Sequence, residues 1–242
     1  MTKIECINFL SEDYLLHGIL HLPDIPSPPV VIGCHGLLAN CDSPKQIALA
    51  QSCVDMGIAY FRFDHRGCGK SQGEFEKVTN LSARCTDLKN AIETIVKKVN
   101  CNQPVGLFGS SLGGAVCLAV ASEIETGPKV VIATPLSTHN LTPPPRSKAS
   151  EPPYLSDRFY KDNLIFDLQD KLHKINNILI IHGNMDAVVP VSNAHQLYAQ
   201  AGLPKKIIIQ KNGDHSISTR KHQKEFQLET IKWIQNGFDS WI

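Results

Sequence analysis

The chain has 242 residues, 42% of them apolar and 19% charged, enough to bury a sizeable core in one or two domains. Its net charge of +1 provides no field to gather nucleic acid or an anionic membrane. No apolar run approaches the roughly 18 residues of a membrane span. The N-terminal MTKIECINFL has no basic stretch followed by an apolar one, so the expected compartment is the cytoplasm.

In chain order, Ile4 to Phe9 and Tyr14 to Leu22 read as two strands of a hairpin, turning at Ser11-Glu12-Asp13. The pattern then changes to compact apolar runs of the kind buried on both sheet faces, at Val30–Cys34, Ala59–Phe63, Val105–Phe108, Val130–Ala133, Ile178–Ile181 and Lys206–Ile209. Helical patterns separate them at 45–56, 80–99, 112–125 and 192–201, and a last helix is expected over about 220–237. This alternation predicts an α/β fold, a mostly parallel sheet with helices on both faces and an antiparallel N-terminal hairpin. One stretch breaks the rhythm. Residues 135–176 contain LTPPPRSKASEPPY and no clear strand, and are expected to form a lid inserted into a single domain spanning 1–242. Eight cysteines, all in the first half, form no C-x-x-C pair and no zinc spacing with histidine. They are expected to be reduced, mostly buried small side chains, with no metal site.

After the strand at 105–108 comes Gly109-Ser110-Ser111-Leu112-Gly113-Gly114, then an apolar helical stretch. G-x-S-x-G arises by chance in about one chain in twelve of this length. Its weight here comes from position: a sharp strand-to-helix turn strains the central residue, crowds its neighbours and so favours glycine on both sides. Ser111 is the candidate nucleophile. Ser110 lacks the flanking glycines, and the phosphate-binding patterns GxxxxGK[ST] and GxGxxG are absent.

A serine hydroxyl needs a base, and the base needs an orienting acid, each on a loop after a later strand. His215, in Asn212-Gly213-Asp214-His215 after the last predicted strand, is the candidate base. Asp186, after the strand ending at Ile181, is the candidate acid. Asp214 is read as a turn former, and Asp162 and Asp167 are weaker rivals. Two backbone N–H groups are expected to hold an oxyanion, those of Leu112 and of Leu37 in His35-Gly36-Leu37. His35 is expected to brace that loop. D-x-R-G-x-G-x-S at 64–71 is expected to play a structural role with no chemistry, Asp64 and Arg66 being candidates to pair and hold the turn. Tyr154, Phe159, Tyr160 and Phe166 are candidates either to line a substrate pocket or to anchor the insertion.

Taken together, HG at 35–36, D-x-R-G-x-G-x-S, G-x-S-x-G at 109–113, Asp186 followed by Val-Pro, and Gly-Asp-His at 213–215 resemble the α/β-hydrolase superfamily over nearly the whole chain. Within it the chain looks most like the short-lid group of cinnamoyl/feruloyl-type carboxylesterases and serine aminopeptidase-like hydrolases. The resemblance implies an eight-stranded sheet, no cofactor, and an acyl-enzyme mechanism on a small-molecule ester, with Ser111, Asp186 and His215 as the triad. The same residues are compatible with a peptidase, amidase or thioesterase. An aminopeptidase needs a carboxylate for the substrate amine, for which Glu151, Asp157 and Asp162 are candidates. A non-catalytic binding protein is the reading from another class. Labelling of Ser111 by a fluorophosphonate separates it from the enzymes.

Overall fold

Val30–Cys34 (β3), Ala59–Phe63 (β4), Gly106–Ser110 (β5), Lys129–Ile132 (β6) and Ile178–Gly183 (β7) are covered on both faces, which is why they read as apolar runs rather than alternating ones. The computed structural model of the chain describes residues 3–138 and 155–239, apart from the side chain of Asp157. Lys3–Ser11 (β1), Tyr14–Leu22 (β2) and Lys205–Gln210 (β8) complete an eight-stranded sheet in the order β1-β2-β4-β3-β5-β6-β7-β8. β2 runs antiparallel to β1 and β4, and every other pairing is parallel.

Successive side chains of a strand face opposite ways, so the sheet carries two apolar layers. Val30, Ile32 and Cys34 face a cluster completed by Leu88, Ala91 and Ile95 of helix α3 (Leu81–Val99), by helix α4 (Leu112–Ala121), and by Ala194 and Leu197 of helix α6 (Ser192–Gln200). Val31 and Tyr60 face the opposite layer, filled by Leu49 and Cys53 of helix α1 (Pro44–Asp55) and Phe226 and Ile234 of helix α7 (Arg220–Asp239). Helix α3 starts where the Asn80 side chain accepts the Ala83 N–H and stops at Asn100 in the left-handed region. α4 ends at Ala121, earlier than its apolar pattern. The Ser122 hydroxyl bonds back to the Ala119 carbonyl, and Gly127 N–H is engaged by Val105.

All eight cysteines are free. Six are buried, Cys85 is half-buried and Cys6 is exposed. Between β6 and β7 the described residues contain helix α5 (Asp157–Asp162), a 3-10 helix (Gln169–Lys174) and a single bridge between Ser137 and Asp167. A four-residue helix, α2 (Phe75–Val78), packs beside this region: Phe75 lies 5.5 Å from Phe159, ring to ring.

The expected Asp64–Arg66 pair does not form. Asp64 turns toward the loop after β3, accepting N–H bonds from Cys41 (2.7 Å) and Lys70 (2.9 Å). Arg66 reaches the other way, to Asp87 on α3 (2.7 and 2.9 Å) and to Glu12 (2.6 Å). Each group finds a better-placed partner in another element than in its neighbour two residues away.

Candidate active site

Ser111 stands between β5 and α4 with φ +54° and ψ −124°, a conformation an L-residue adopts only when its surroundings enforce it. The enforcement is visible on both sides. Ser111 N–H is held by the Ile132 carbonyl (2.8 Å), and its own carbonyl starts the helix by accepting from Gly114 (2.9 Å). A Cβ on Gly109 would lie 2.5 Å from the Gly113 carbonyl, and one on Gly113 would lie 2.3 Å from that of Cys34. The two glycines therefore allow the turn to close against β3.

The Ser111 hydroxyl lies 3.1 Å from Nε2 of His215, and Nδ1 of His215 lies 2.8 Å from Oδ2 of Asp186. An ionised carboxylate only accepts, so Nδ1 carries the hydrogen and Nε2 is left to accept from the serine hydroxyl. The loops after β7 and β8 are tied together: Met185 N–H bonds Gly213 and Asn212 N–H bonds the Asn184 side chain. The other Asp186 oxygen accepts from Val188 and Val189 N–H, both at 2.8 Å. His182 was not anticipated from sequence. Its Nε2 donates to the Val189 carbonyl at 2.9 Å and lies 3.3 Å from Asp186 Oδ2. Burial pushes the Asp186 carboxyl up, but the bonds from His182, His215 and Val189 outweigh it and hold it below the ordinary carboxylate range. Asp214 instead closes its own turn by accepting from Ser218 N–H at 2.9 Å.

Neither Leu37 N–H nor Leu112 N–H has a hydrogen-bond partner among the described residues. The Leu37 amide shares its peptide unit with the Gly36 carbonyl, and that carbonyl is held from two directions. His35 Nδ1 donates to it at 2.7 Å, and Nη1 of the wholly buried Arg84 donates at 3.2 Å. Nη2 of Arg84 also donates to the Leu37 carbonyl at 3.0 Å. In a trans peptide the N–H points opposite to the C=O, so these bonds turn Leu37 N–H away from Arg84. A cation on the carbonyl also polarises the unit and strengthens its N–H as a donor. His35 Nε2 accepts from His65 N–H (3.2 Å), which completes the expected brace. Burial, with Arg84 and His65 nearby, keeps the His35 ring well below the usual imidazole range and hence neutral at pH 7.

A cavity of about 550 Å³ opens over Ser111 and His215. Tyr160 and Phe166 line it. Phe159 does not: it is 3% exposed and packed between Phe75 and Tyr160, so it anchors the insertion to the core. Its place on α5, one residue before Tyr160, rotates it about 100° around that helix, toward Phe75. Tyr154 and Glu151 lie outside the described residues. Asp162 pairs with Arg158 on the same helix. Among the described residues no group of histidine, cysteine and carboxylate side chains has the arrangement of a metal site, and no helix is long and apolar enough to cross a membrane.

An eight-stranded sheet with a serine at this strand-to-helix turn defines the α/β-hydrolase class. The model of the family Hydrolase_4, described as serine aminopeptidase, S33, matches residues 26–157, and the chain belongs to that family. It is 30% identical over 212 residues to the uncharacterized protein YfhR of Escherichia coli O157:H7, covering 86% of this chain and 71% of that protein. It is 25% identical over 243 residues to bovine (Bos taurus) palmitoyl-protein thioesterase ABHD10, covering 87% and 76%. Its fold matches Est1E of Butyrivibrio proteoclasticus, solved with ferulic acid bound, with a TM-score of 0.79 at 17% identity over 96% of this chain and 99% of that one.

Proposed function

We propose that the chain is a serine hydrolase that cleaves carboxylic esters of small or aryl acyl groups through an acyl-enzyme intermediate. The observation that carries this reading is the unbroken line from the Ser111 hydroxyl through His215 to Asp186, at 3.1 and 2.8 Å, opening on one cavity. His215 removes the Ser111 proton as the oxygen attacks the ester carbonyl. Asp186, held ionised, orients the ring and stabilises the imidazolium. The Leu37 and Leu112 N–H groups receive the oxyanion, the alcohol leaves with the proton from His215, and water repeats the sequence on the acyl-serine.

Ser111→Ala is expected to lower kcat for p-nitrophenyl acetate by about 10⁶-fold while leaving the far-ultraviolet circular dichroism unchanged. Wild-type turnover by the folded variant would remove the assignment. A thioester reading is favoured by one observation, the similarity to a palmitoyl-protein thioesterase. It uses the same residues, and kcat/KM for matched oxygen and sulfur esters of one acyl group decides between the two.

A further inference from the structure

Helix α1 begins at the wall of the cavity, where Ser43, Pro44, Lys45 and Gln46 all line it. Lys45 is half-buried there, and its ammonium has neither an ion pair nor a hydrogen bond among the described residues. Among the described carboxylates, Asp214 is the one whose charge acts on it. No ion pair joins the two, and Asp214 is bound to Ser218. Beside it, Gln46 is 1% exposed: its Oε1 accepts from the Tyr60 hydroxyl at 2.5 Å, while its Nε2 is buried without a partner. None of the described residues lining the cavity is an aspartate or a glutamate. A partly desolvated cation without a counterion is costly in a protein wall, and burial indeed lowers the Lys45 pKa. The first turn of a twelve-residue helix adds its positive end to the same place.

We propose that Lys45, with Gln46 and the start of α1, forms a subsite for an anionic group, a carboxylate on the acyl or alcohol part of the ester substrate. The proposal rests on the Ser111 hydrolase reading and adds the substrate's charge to it.

The test compares each anionic ester with its methyl-ester counterpart, so that intrinsic reactivity cancels between enzymes. The acyl arm uses 4-nitrophenyl hemiadipate and its methyl ester. The alcohol arm uses 4-(butyryloxy)benzoate and its methyl ester. Lys45→Met is expected to lower the anionic-to-neutral ratio of kcat/KM about tenfold or more in one arm, the size of one charge-assisted hydrogen bond. Lys45→Arg is expected to retain the ratio and Lys45→Glu to lower it further. The arm that responds identifies which part of the substrate carries the charge. Ratios unchanged by all three substitutions in both arms would overturn the subsite while leaving the hydrolase reading in place. If no ester is turned over and a fluorophosphonate does not label Ser111, it is the hydrolase reading that fails.

Discussion

In the proposed mechanism, Arg84 acts on the reacting atoms through the backbone it holds. It is wholly buried, yet its guanidinium ends on the two carbonyls that flank the Leu37 amide. Under the proposed function, Arg84 is therefore a positioning residue for Leu37 N–H, the proposed oxyanion donor, and does not itself touch the reacting atoms. Removing one such donor typically costs 10²–10³-fold in kcat, so Arg84→Met is expected to lower kcat by about 10²-fold with a much smaller change in KM. Arg84→Lys should recover part of the loss. A boronic acid that mimics the tetrahedral intermediate should bind more weakly to Arg84→Met in proportion to the lost kcat. Loss of thermal stability with kcat unchanged would mean that the residue only supports packing.

At the scale of elements, the joint between α4 and β6 holds a second buried cation. Lys129 is 3% exposed and donates to the Thr126 carbonyl and hydroxyl (both 3.1 Å) and to the Gly127 carbonyl (2.8 Å). Burial brings its pKa down from the usual 10.5 to about 8. Between those values the unfolded chain holds the proton and the folded chain does not. Stability from this group therefore rises with pH across that window, and the penalty is present in full below it. The difference in unfolding free energy between wild type and Lys129→Met is expected to move in favour of the wild type by up to about 3 kcal/mol from pH 7 to pH 11. Urea titrations at several pH values measure it, and a difference independent of pH would contradict the burial argument. The Arg66–Asp87 pair also makes stability rise with pH, but as a favourable contribution gained on ionisation in the acid range rather than a penalty relieved in base. Desolvation pushes Asp87 up, but His65 and Arg66 outweigh it and hold it below the usual carboxylate range, so its contribution is lost in acid.

For the whole molecule, the two apolar layers share their strands. Leu107 of β5 belongs to one layer and Phe108 to the other. Neither layer survives without the sheet, so the single domain read from sequence is expected to unfold in one step. Far-ultraviolet circular dichroism and tryptophan fluorescence should give coincident urea transitions. Two separated transitions would divide the chain into independent units. The segment between β6 and β7 remains a proposed lid. Its residues 155–177 contribute Tyr160, Leu164 and Phe166 to the cavity wall and Phe159 to the core.

Local chemistry by itself determined the alternation of strands and helices, the hairpin, and the turn at Ser111. Buried strands must be apolar, and a strained turn leaves room only for glycine beside it. The strand-end placement of Asp186 and His215 was legible for the same reason. Arg84 also left a trace, falling on the apolar stripe of Leu81, Leu88, Ala91 and Ile95 where a charge needs an explanation. Only the tertiary structure decided which carboxylate meets His215, since that contact joins residues 29 apart and the next joins residues 104 apart. It also sent Arg66 to Asp87 rather than Asp64, turned Phe159 into the core, and left Lys45 in the cavity wall without an ion pair among the described residues. Such outcomes depend on which groups the folded sheet brings within hydrogen-bond reach, and no spacing along the chain encodes that.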